Sequence, residues 1–223
     1  MRFWSIMQSP LPAHVPHHLL PLAFYFLRHG ETDWNAIKRI QGRTDIPLNA
    51  RGEAQARAAA ALLKTLTIDK IIASPLKRAA ATAAIVQEHL ATPLHHDEHL
   101  VEQHYGSFEG RTRDDLATEL GPDALNNFWR YLPPDAEPPE AFAARILGRV
   151  LHHVQAAPKQ TLLFVGHGGA MGALTRQLGM DGAQHFANAI PYRYSHDGNE
   201  WRMEALRPTY TCVEDLTLRP NPA

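Results

Sequence analysis

Three short segments of the chain are apolar at nearly every position and lack the alternation of a half-exposed strand. They are residues 22–27, 70–73 and 161–165. Continuous apolar runs of this length are typical of strands in a parallel sheet that helices cover on both faces. We therefore predict three buried parallel strands.

Segments with helical spacing lie between and after these strands, at residues 49–66, 76–90, 139–157 and 170–178. Asn49 is placed to cap the first helix, and Ser74 followed by Pro75 is a typical helix start. The first helix carries an apolar stripe on one face, formed by Ala54, Ala58, Ala61 and Leu62. Such a stripe is expected on the side of a helix that faces the core.

The order strand–helix–strand–helix, with a further strand–helix pair near the end, predicts an α/β fold. Residues 189–195 and 200–206 flank Asp197-Gly198-Asn199 and suggest a closing hairpin. We predict a three-layer α/β/α sandwich with a mostly parallel central sheet.

Residues 111–144 differ from the rest because they are rich in proline and mixed in pattern. We predict short helices at about 112–120 and 122–130, forming a helical lid inserted over one end of the sheet. Ligands bind at the carboxyl ends of parallel strands in such folds. The predicted organisation is a single domain over residues 21–210, between an N-terminal tail (1–20) and a C-terminal tail (211–223).

Charge and cysteine content exclude several classes of protein. The 22 basic and 23 acidic residues give a net charge of −1, which argues against nucleic-acid or membrane-surface partners. The longest apolar run, residues 19–27, is far shorter than the roughly 20 residues of a bilayer span. The N-terminus is too broken by prolines for a secretory signal. Cys212 is the only cysteine, which excludes an intramolecular disulfide, so we expect a reducing cytoplasm.

Each of the three strands is followed by residues suited to an anion. The first ends in Arg28-His29-Gly30, the second leads to Arg78, and the third precedes His167 and its neighbouring glycines. The carboxyl ends of parallel strands lie side by side, and helix N-termini point free N–H groups to the same place. Arginine suits phosphate oxygens better than lysine does, so we favour Arg28 and Arg78 over Lys77.

Two histidines indicate catalysis in addition to binding. A neutral imidazole has a lone pair that can attack phosphorus near neutral pH. An acid is then needed for the leaving alkoxide, and Glu102, in the loop before the lid, is the candidate. Glu98 and Glu109 lie close in sequence and remain open alternatives for this role.

Five segments together resemble the histidine phosphatase superfamily, the phosphoglycerate-mutase-like group that carries an Arg-His-Gly motif. They are Leu27-Arg-His-Gly-Glu-Thr-Asp-Trp-Asn35, Gln41-Gly-Arg-Thr-Asp-Ile-Pro-Leu48, Ser74-Pro-Leu-Lys-Arg78, Glu102 with Tyr105-Gly-Ser-Phe-Glu-Gly110, and Gly166-His-Gly-Gly169. They occur in the family's order and span about residues 22–206. One such triplet is weak support, but five in register are strong.

The resemblance implies a role for each of these residues. His29 would be the phosphorylated nucleophile, and Glu102 would protonate the leaving oxygen and later activate water. The phosphoryl oxygens would be held by Arg28, Arg78, His167, Asn35 and the backbone N–H of Gly168. The family needs no metal, and we expect no cofactor in this protein. Arg43 is either a substrate contact or a solvated side chain, and Thr44 and Ser74 are predicted caps.

The substrate remains open within the family. Residues 114–144 contain seven acidic side chains but only one basic side chain, Arg130, and we expect such a lid to repel a doubly anionic substrate. Four aromatic residues, Phe128, Trp129, Tyr131 and Phe142, either line a pocket for the leaving group or form core under the lid. Arg176 comes later than the arginine that some relatives place after the last motif, so roles that rest on that arginine are not transferred.

We predict a phosphatase acting on small phosphorylated metabolites, with a cofactor-dependent phosphoglycerate mutase as the second candidate. A catalytically idle phospho-ligand-binding module is the alternative from another class, and a homodimer is an open alternative to a monomer. The histidine-rich segment 95–99 suggests a metal site, but adjacent strand residues point apart, which disfavours one.

Overall fold

The computed structural model describes residues 22–181 and 185–207. Both predicted tails lie outside this range. The strands are β1 (Leu22–Arg28), β2 (Lys70–Ala73), β3 (Leu94–His96), β4 (Leu162–Gly166), β5 (Pro191–His196) and β6 (Trp201–Ala205). The α-helices are α1 (Asp33–Ala36), α2 (Ala50–Leu63), α3 (Lys77–Leu90), α4 (Arg113–Leu120), α5 (Ala124–Asn127), α6 (Pro139–Ala156) and α7 (Gly168–Gln177). Short 3₁₀ turns occur at Glu98–Leu100, Gly106–Phe108 and Phe128–Arg130.

The strands form one sheet in the order β3-β2-β4-β1-β5-β6. The first four run parallel, whereas β5 is antiparallel to both β1 and β6. The prediction of an α/β fold with a mostly parallel sheet is therefore confirmed, and β5 and β6 form the predicted closing hairpin.

Both faces of the sheet are buried, which explains the absence of alternation in the apolar runs. In β1, Phe24 and Phe26 belong to a core shared with α6 and α7. Tyr25 and Leu27 point to the other face and join a core formed with α2 and α3. The result is the predicted three layers, with a helix pair on each side.

Helix α2 confirms one prediction and corrects another. Asn49 caps it, since its side chain accepts a hydrogen bond from the Gly52 N–H at 2.8 Å. The predicted apolar stripe is wrong: Ala54, Ala58 and Ala61 are exposed. The face that packs on the sheet contains Gly52, Ala56, Ala59, Ala60 and Leu63. Alanines occur on all sides of this helix, so their spacing alone does not identify the buried face.

The lid has a small core of its own over the carboxyl ends of the parallel strands. Helices α4 and α5 lie close to the predicted positions and contribute Leu116 and Ala124. These side chains pack with Ile40, Tyr105, Phe108 and Phe128. Within the described part of the chain, no helix has the length and apolar composition needed to cross a bilayer.

Candidate active site

The register of the sheet brings the two motif histidines together. Strands β1 and β4 are neighbours, and Arg28 pairs with Gly166 at their carboxyl ends. His29 and His167 therefore leave the sheet side by side, and their ring centroids are 5.4 Å apart. The backbone N–H of Ser74, directly after β2, donates to the carbonyl of Val165 at 2.9 Å. All three predicted strand ends thus meet at one edge.

His29 is held in the form that a nucleophile needs. Its Nδ1 lies 2.7 Å from the carbonyl oxygen of Gly30. A carbonyl can only accept, so Nδ1 carries the proton and Nε2 keeps its lone pair. Burial, with the nearby charges of Arg28 and Arg78, lowers the pKa of His29 well below its ordinary value. The ring is therefore neutral at neutral pH.

Arg28 and Arg78 are each anchored through terminal nitrogens. Arg28 Nη1 donates to the carbonyl of Phe186 at 2.6 Å, and Arg78 donates to the carbonyls of Gly42 and Thr44 at 2.7 and 3.0 Å. The Nε of each arginine is buried and has no hydrogen-bond partner among the described residues. Burial lowers the pKa of Arg28 to about 10, so its guanidinium remains charged. Each of these two arginines thus retains a free Nε–H donor beside His29.

His167 is fully buried, and its Nε2 lies 2.8 Å from Ser74 Oγ. Within the described chain, its Nδ1 has no partner. Burial and the charges of Arg78, His29 and Arg28 lower its pKa well below the ordinary value. Ser74 is therefore not the predicted cap of α3, which begins three residues later with no side-chain cap at Leu76. Ser74 Oγ contacts the histidine and also accepts a hydrogen bond from the Leu76 N–H at 3.4 Å, ahead of the helix.

Glu102 approaches the site from the loop before the lid. Its Oε1 accepts from the Gln103 N–H at 2.9 Å, and its Oε2 accepts from the Gly169 N–H at 2.8 Å. A Cβ at position 169 would lie only 2.5 Å from Oε1, so this approach requires glycine. Burial is the largest influence and raises the pKa of Glu102, against the opposing hydrogen bonds and arginines.

The other two carboxylates considered from the sequence are placed differently. Glu109 accepts hydrogen bonds from the backbone and hydroxyl of Thr44 and from the backbone of Tyr105, so it joins two loops. Thr44 is bound in this contact and does not cap a helix. Glu98 is exposed in a 3₁₀ turn. Of the three carboxylates, only Glu102 lines the cavity described next.

A cavity of about 670 Å³ opens above these groups. Asn35 and Gly168 line it, as does Asn188, which sequence reasoning did not single out. Arg43 is not among the lining residues. Its guanidinium instead contacts Glu137 at 3.2 Å and the carbonyl of Glu102 at 3.4 Å.

The charge of the cavity differs from the charge of the lid sequence. Its lining includes six cationic side chains, Arg28, Lys38, Arg39, Arg78, Arg113 and Arg176, and one acidic side chain, Glu102. None of the seven acidic lid residues lines it. The expectation that the lid repels a doubly anionic substrate is therefore wrong for the cavity interior, because these carboxylates point elsewhere.

The lid aromatics divide between the two predicted roles. Phe128 and Trp129 line the cavity. Phe142 lies in the core beneath α6, and the exposed Tyr131 donates its hydroxyl to Asp123 at 3.1 Å. Sequence reasoning also set aside Arg176, which helix α7 brings to the cavity. Arg176 lies about two helical turns beyond the motif, and this spacing alone does not indicate that its side chain reaches the cavity.

Comparison with known proteins agrees with this geometry. The family model of the histidine phosphatase superfamily (branch 1) matches residues 24–208. The chain belongs to this superfamily. It is 39% identical over 156 residues to the uncharacterized phosphatase PhoE of Bacillus subtilis, covering 70% of this chain and 77% of that protein. It is 36% identical over 156 residues to a probable phosphoglycerate mutase, GpmB, of an Enterobacter species, covering 69% and 73% respectively.

Solved structures of the superfamily share the fold. A mycobacterial glucosyl-3-phosphoglycerate phosphatase superposes with a TM-score of 0.71 at 29% identity, over 82% of this chain and 97% of that one. The protein YhfR of Bacillus stearothermophilus gives a TM-score of 0.72 at 29% identity, over 82% and 95%. The relatives of this chain are thus phosphatases and phosphoglycerate-mutase-like proteins.

Proposed function

We propose that this protein hydrolyses phosphate monoesters of small metabolites through a phosphohistidine on His29. One observation carries the proposal: a buried, neutral imidazole with a free Nε2 lies among the unpartnered Nε–H donors of two charged arginines and the unpartnered Nδ1 of a second histidine. This arrangement suits the equatorial oxygens of a phosphoryl group in transfer, for which positioning and charge are the main sources of catalysis.

In the first step, His29 Nε2 attacks phosphorus as the bond to the leaving oxygen breaks. Glu102 donates its proton to that oxygen, and Arg28, Arg78 and His167 hold the phosphoryl oxygens together with Asn35 and the Gly168 N–H. The raised pKa of Glu102 supports this role, and a bound dianion raises the pKa further.

In the second step, the Glu102 carboxylate takes a proton from water while the water oxygen attacks phosphorus. The bond from phosphorus to His29 Nε2 breaks, inorganic phosphate is released, and the protonated acid is restored. Each group thus returns to its starting state.

A phosphoglycerate mutase is the second candidate, and cationic residues of the cavity beyond the two phosphate-binding arginines favour it. In that reaction the phosphohistidine passes its phosphoryl group to a second hydroxyl. Phosphate release from 3-phosphoglycerate and from p-nitrophenyl phosphate, with and without 2,3-bisphosphoglycerate, separates the two. A mutase converts the phosphoglycerate only with the bisphosphate and releases little phosphate.

The direct test of the nucleophile is His29→Ala, with His89→Ala as the matched control. His89 lies on the exposed side of α3, and among the described residues the only hydrogen-bond partner of its side chain is the carbonyl of Ile85. We expect His29→Ala to abolish turnover, and brief exposure of the wild type to substrate to trap a phosphohistidine. A pure binding module would form no covalent species, and retained turnover in His29→Ala would refute the assignment.

We further propose a cytoplasmic location and a small phosphorylated metabolite as the partner. The single cysteine at position 212 supports a reducing compartment. Fractionation of cells that produce the protein, followed by immunodetection, tests the location.

A further inference from the structure

The turn that follows His29 lies against the start of helix α2 and leaves no space for a side chain. A Cβ added at Gly30 would overlap the Gly52 carbonyl oxygen, and one added at Gly52 would overlap that of Glu31. The Asn49 N–H donates to the same Glu31 carbonyl at 3.0 Å. Glycine is therefore required at position 30, although it permits backbone rotations that other residues restrict.

The peptide group between Gly30 and Glu31 decides which nitrogen of His29 carries the proton. Its carbonyl lies 2.7 Å from His29 Nδ1 and accepts the N–H there, so that Nε2 keeps its lone pair. If this peptide group turned over, its own N–H would face Nδ1. The ring would then carry its proton on Nε2, and that atom could not attack phosphorus. The orientation of one peptide group thus decides whether His29 is a nucleophile.

Gln55 on α2 holds the other end of this peptide group. Its Oε1 accepts a hydrogen bond at 2.9 Å from the Glu31 N–H, which belongs to the same peptide group as the Gly30 carbonyl. A backbone N–H can only donate, so the oxygen of the Gln55 amide must face it. The peptide group is thus bonded at both ends, and hydrogen bonds in such a chain strengthen one another.

The preceding peptide group, between His29 and Gly30, is also bonded at both ends. Its carbonyl accepts from Asn188 Nδ2 at 2.9 Å, and its N–H donates to the hydroxyl of the fully buried Thr82 at 3.0 Å. Thr82 in turn donates to the Arg78 carbonyl at 2.7 Å. Any change of tautomer must therefore come from rotation of the next peptide group, the one that Gln55 holds.

We propose that Gln55 is a positioning residue that keeps His29 in its nucleophilic tautomer through the Gly30–Glu31 peptide group. This inference rests on the proposed function, because it concerns the nucleophile of that reaction. Gln55 does not line the cavity, so it acts through the peptide group and not on the substrate. Removing its oxygen should lower the fraction of His29 that can attack and leave phosphate binding intact.

Nitrogen NMR of the histidine rings measures the tautomer without any turnover. Protonated and unprotonated ring nitrogens have distinct chemical shifts in protein labelled with nitrogen-15 histidine, and the His29 signals are those absent from His29→Ala. We expect wild-type His29 to carry its proton on Nδ1. Gln55→Leu, which has no acceptor, should show a mixture with an increased Nε2–H fraction. A tautomer unchanged in Gln55→Leu would overturn the proposal.

The first turnover tests the same inference in the reaction. At saturating p-nitrophenyl phosphate, the first release of nitrophenolate reports attack by His29. We expect Gln55→Leu to slow this release about tenfold, the effect of one lost hydrogen bond. Its affinity for inorganic phosphate should fall by no more than about twofold, since Arg28 and Arg78 are untouched.

Two further variants distinguish positioning from general damage to the fold. Gln55→Glu keeps an acceptor oxygen in place and should recover most of the rate and the Nδ1–H tautomer. Gln87→Leu is the matched control, because Gln87 is a partly buried glutamine of α3 that does not line the cavity. It should change neither measurement. A rate loss that Gln55→Glu does not restore, or that Gln87→Leu shares, would overturn the positioning role.

The NMR measurement separates this inference from the proposed function. If the wild type hydrolysed no phosphate ester and formed no phosphohistidine, but Gln55→Leu changed the tautomer, the phosphatase would be wrong and the contact right. If the wild type turned over and the tautomer of Gln55→Leu matched it, the phosphatase would stand and the positioning role would be wrong.

Discussion

At the scale of single residues, the contact between Ser74 and His167 determines how the second histidine meets phosphate. If the serine hydroxyl donates to Nε2, the proton of the neutral ring lies on Nδ1, the atom left without a partner in the described chain. That N–H can then donate to a phosphoryl oxygen. Ser74 is in this view a positioning residue.

We expect Ser74→Ala to lower kcat about tenfold, the effect of losing one buried hydrogen bond. Affinity for vanadate, which resembles the transferring phosphoryl group, should fall with kcat, whereas the melting temperature should change little. Ser107→Ala is the control, since Ser107 is exposed and its hydroxyl bonds only Asp135 among the described residues. A variant with lower stability but unchanged vanadate affinity would contradict the positioning role.

The pH dependence of turnover tests Glu102. His29 must be neutral, so its lowered pKa moves the acid limb of the profile below the ordinary pKa of histidine. Glu102 must be protonated, so activity falls as pH rises through its raised pKa. In Glu102→Gln that alkaline limb should disappear, and turnover of an alkyl phosphate should fall about 10²–10³-fold.

Nitrophenolate leaves without a proton, so Glu102→Gln should still release one equivalent rapidly from p-nitrophenyl phosphate and then stall as the phosphohistidine. Glu98→Gln is the control because Glu98 is exposed and does not line the cavity. If Glu98→Gln lost activity and Glu102→Gln did not, the acid would be misassigned.

The sequence predicts the site residues that follow strands but not those that depend on side-chain direction. Arg28, His29 and His167 come at strand ends, and parallel strands align their ends, so their meeting follows from fold class. Whether Ser74 caps a helix or contacts His167 depends on where α3 begins. Arg113 and Arg176 reach the cavity from helices whose orientation no local pattern specifies.

At the scale of elements, helix α6 and the lid hold the segment that carries Glu102. Arg145 Nη1 donates to the carbonyls of His99 and Val101 at 2.8 and 3.0 Å, and its other nitrogens bind Glu137 at 2.9 and 2.8 Å. The Glu137 N–H donates to the His104 carbonyl at 2.8 Å. The segment is thus bonded on both sides of the acid.

Loosening this support should affect proton donation first. We expect Arg145→Gln to lower kcat for an alkyl phosphate about 10- to 100-fold, since small displacements of a catalytic group have effects of this size. Release of nitrophenolate should fall less, because that step needs no proton. Arg57→Gln on the exposed side of α2, which breaks only a surface pair with Glu53, should change neither rate. Equal losses on both substrates would indicate general damage to the fold.

Local sequence patterns predict where helices and strands lie better than they predict which face of each is buried. Helix α2 has its predicted cap and extent to within three residues, yet its alanine-rich sequence gives no strong apolar direction. The strands β1 and β4 are clear because branched and aromatic residues fill most of their positions. The local sequence pattern predicts where a helix or strand lies along the chain. The buried face of an alanine-rich helix depends on which elements pack against it.

At the scale of the whole molecule, net charge says little about the surface that a ligand meets. The acidic lid residues point to solvent or to partners such as Arg145, and the cavity beneath them is cationic. A count of charged residues along the sequence cannot distinguish the solvent side of the lid from its cavity side. This is why the expected preference against doubly anionic substrates was wrong for the cavity interior.

An ion-pair cluster centred on Asp97 lies in the histidine-rich segment after β3, and we expect it to stabilise the whole fold. Asp97 is buried and accepts from Arg149, from His153 at 2.6 Å and from the His99 backbone at 2.9 Å. Burial raises the pKa of Asp97, but the hydrogen bonds from His153 and Arg149 outweigh it and lower the pKa to about 2. The cluster joins the edge strand to α6.

Because the pKa of Asp97 is lowered in the folded protein, the charged form of this carboxylate stabilises the fold. The stabilisation is present above the unfolded pKa of 3.8 and is lost as pH falls through about 2. We expect Asp97→Asn to lower the free energy of unfolding at pH 7 by about 2 kcal/mol, measured by urea denaturation. The difference from wild type should shrink between pH 4 and about 2, whereas the exposed control Asp123→Asn should show a small difference throughout. A difference that stays constant down to the acid end would mean that packing, and not the charge of Asp97, stabilises this corner.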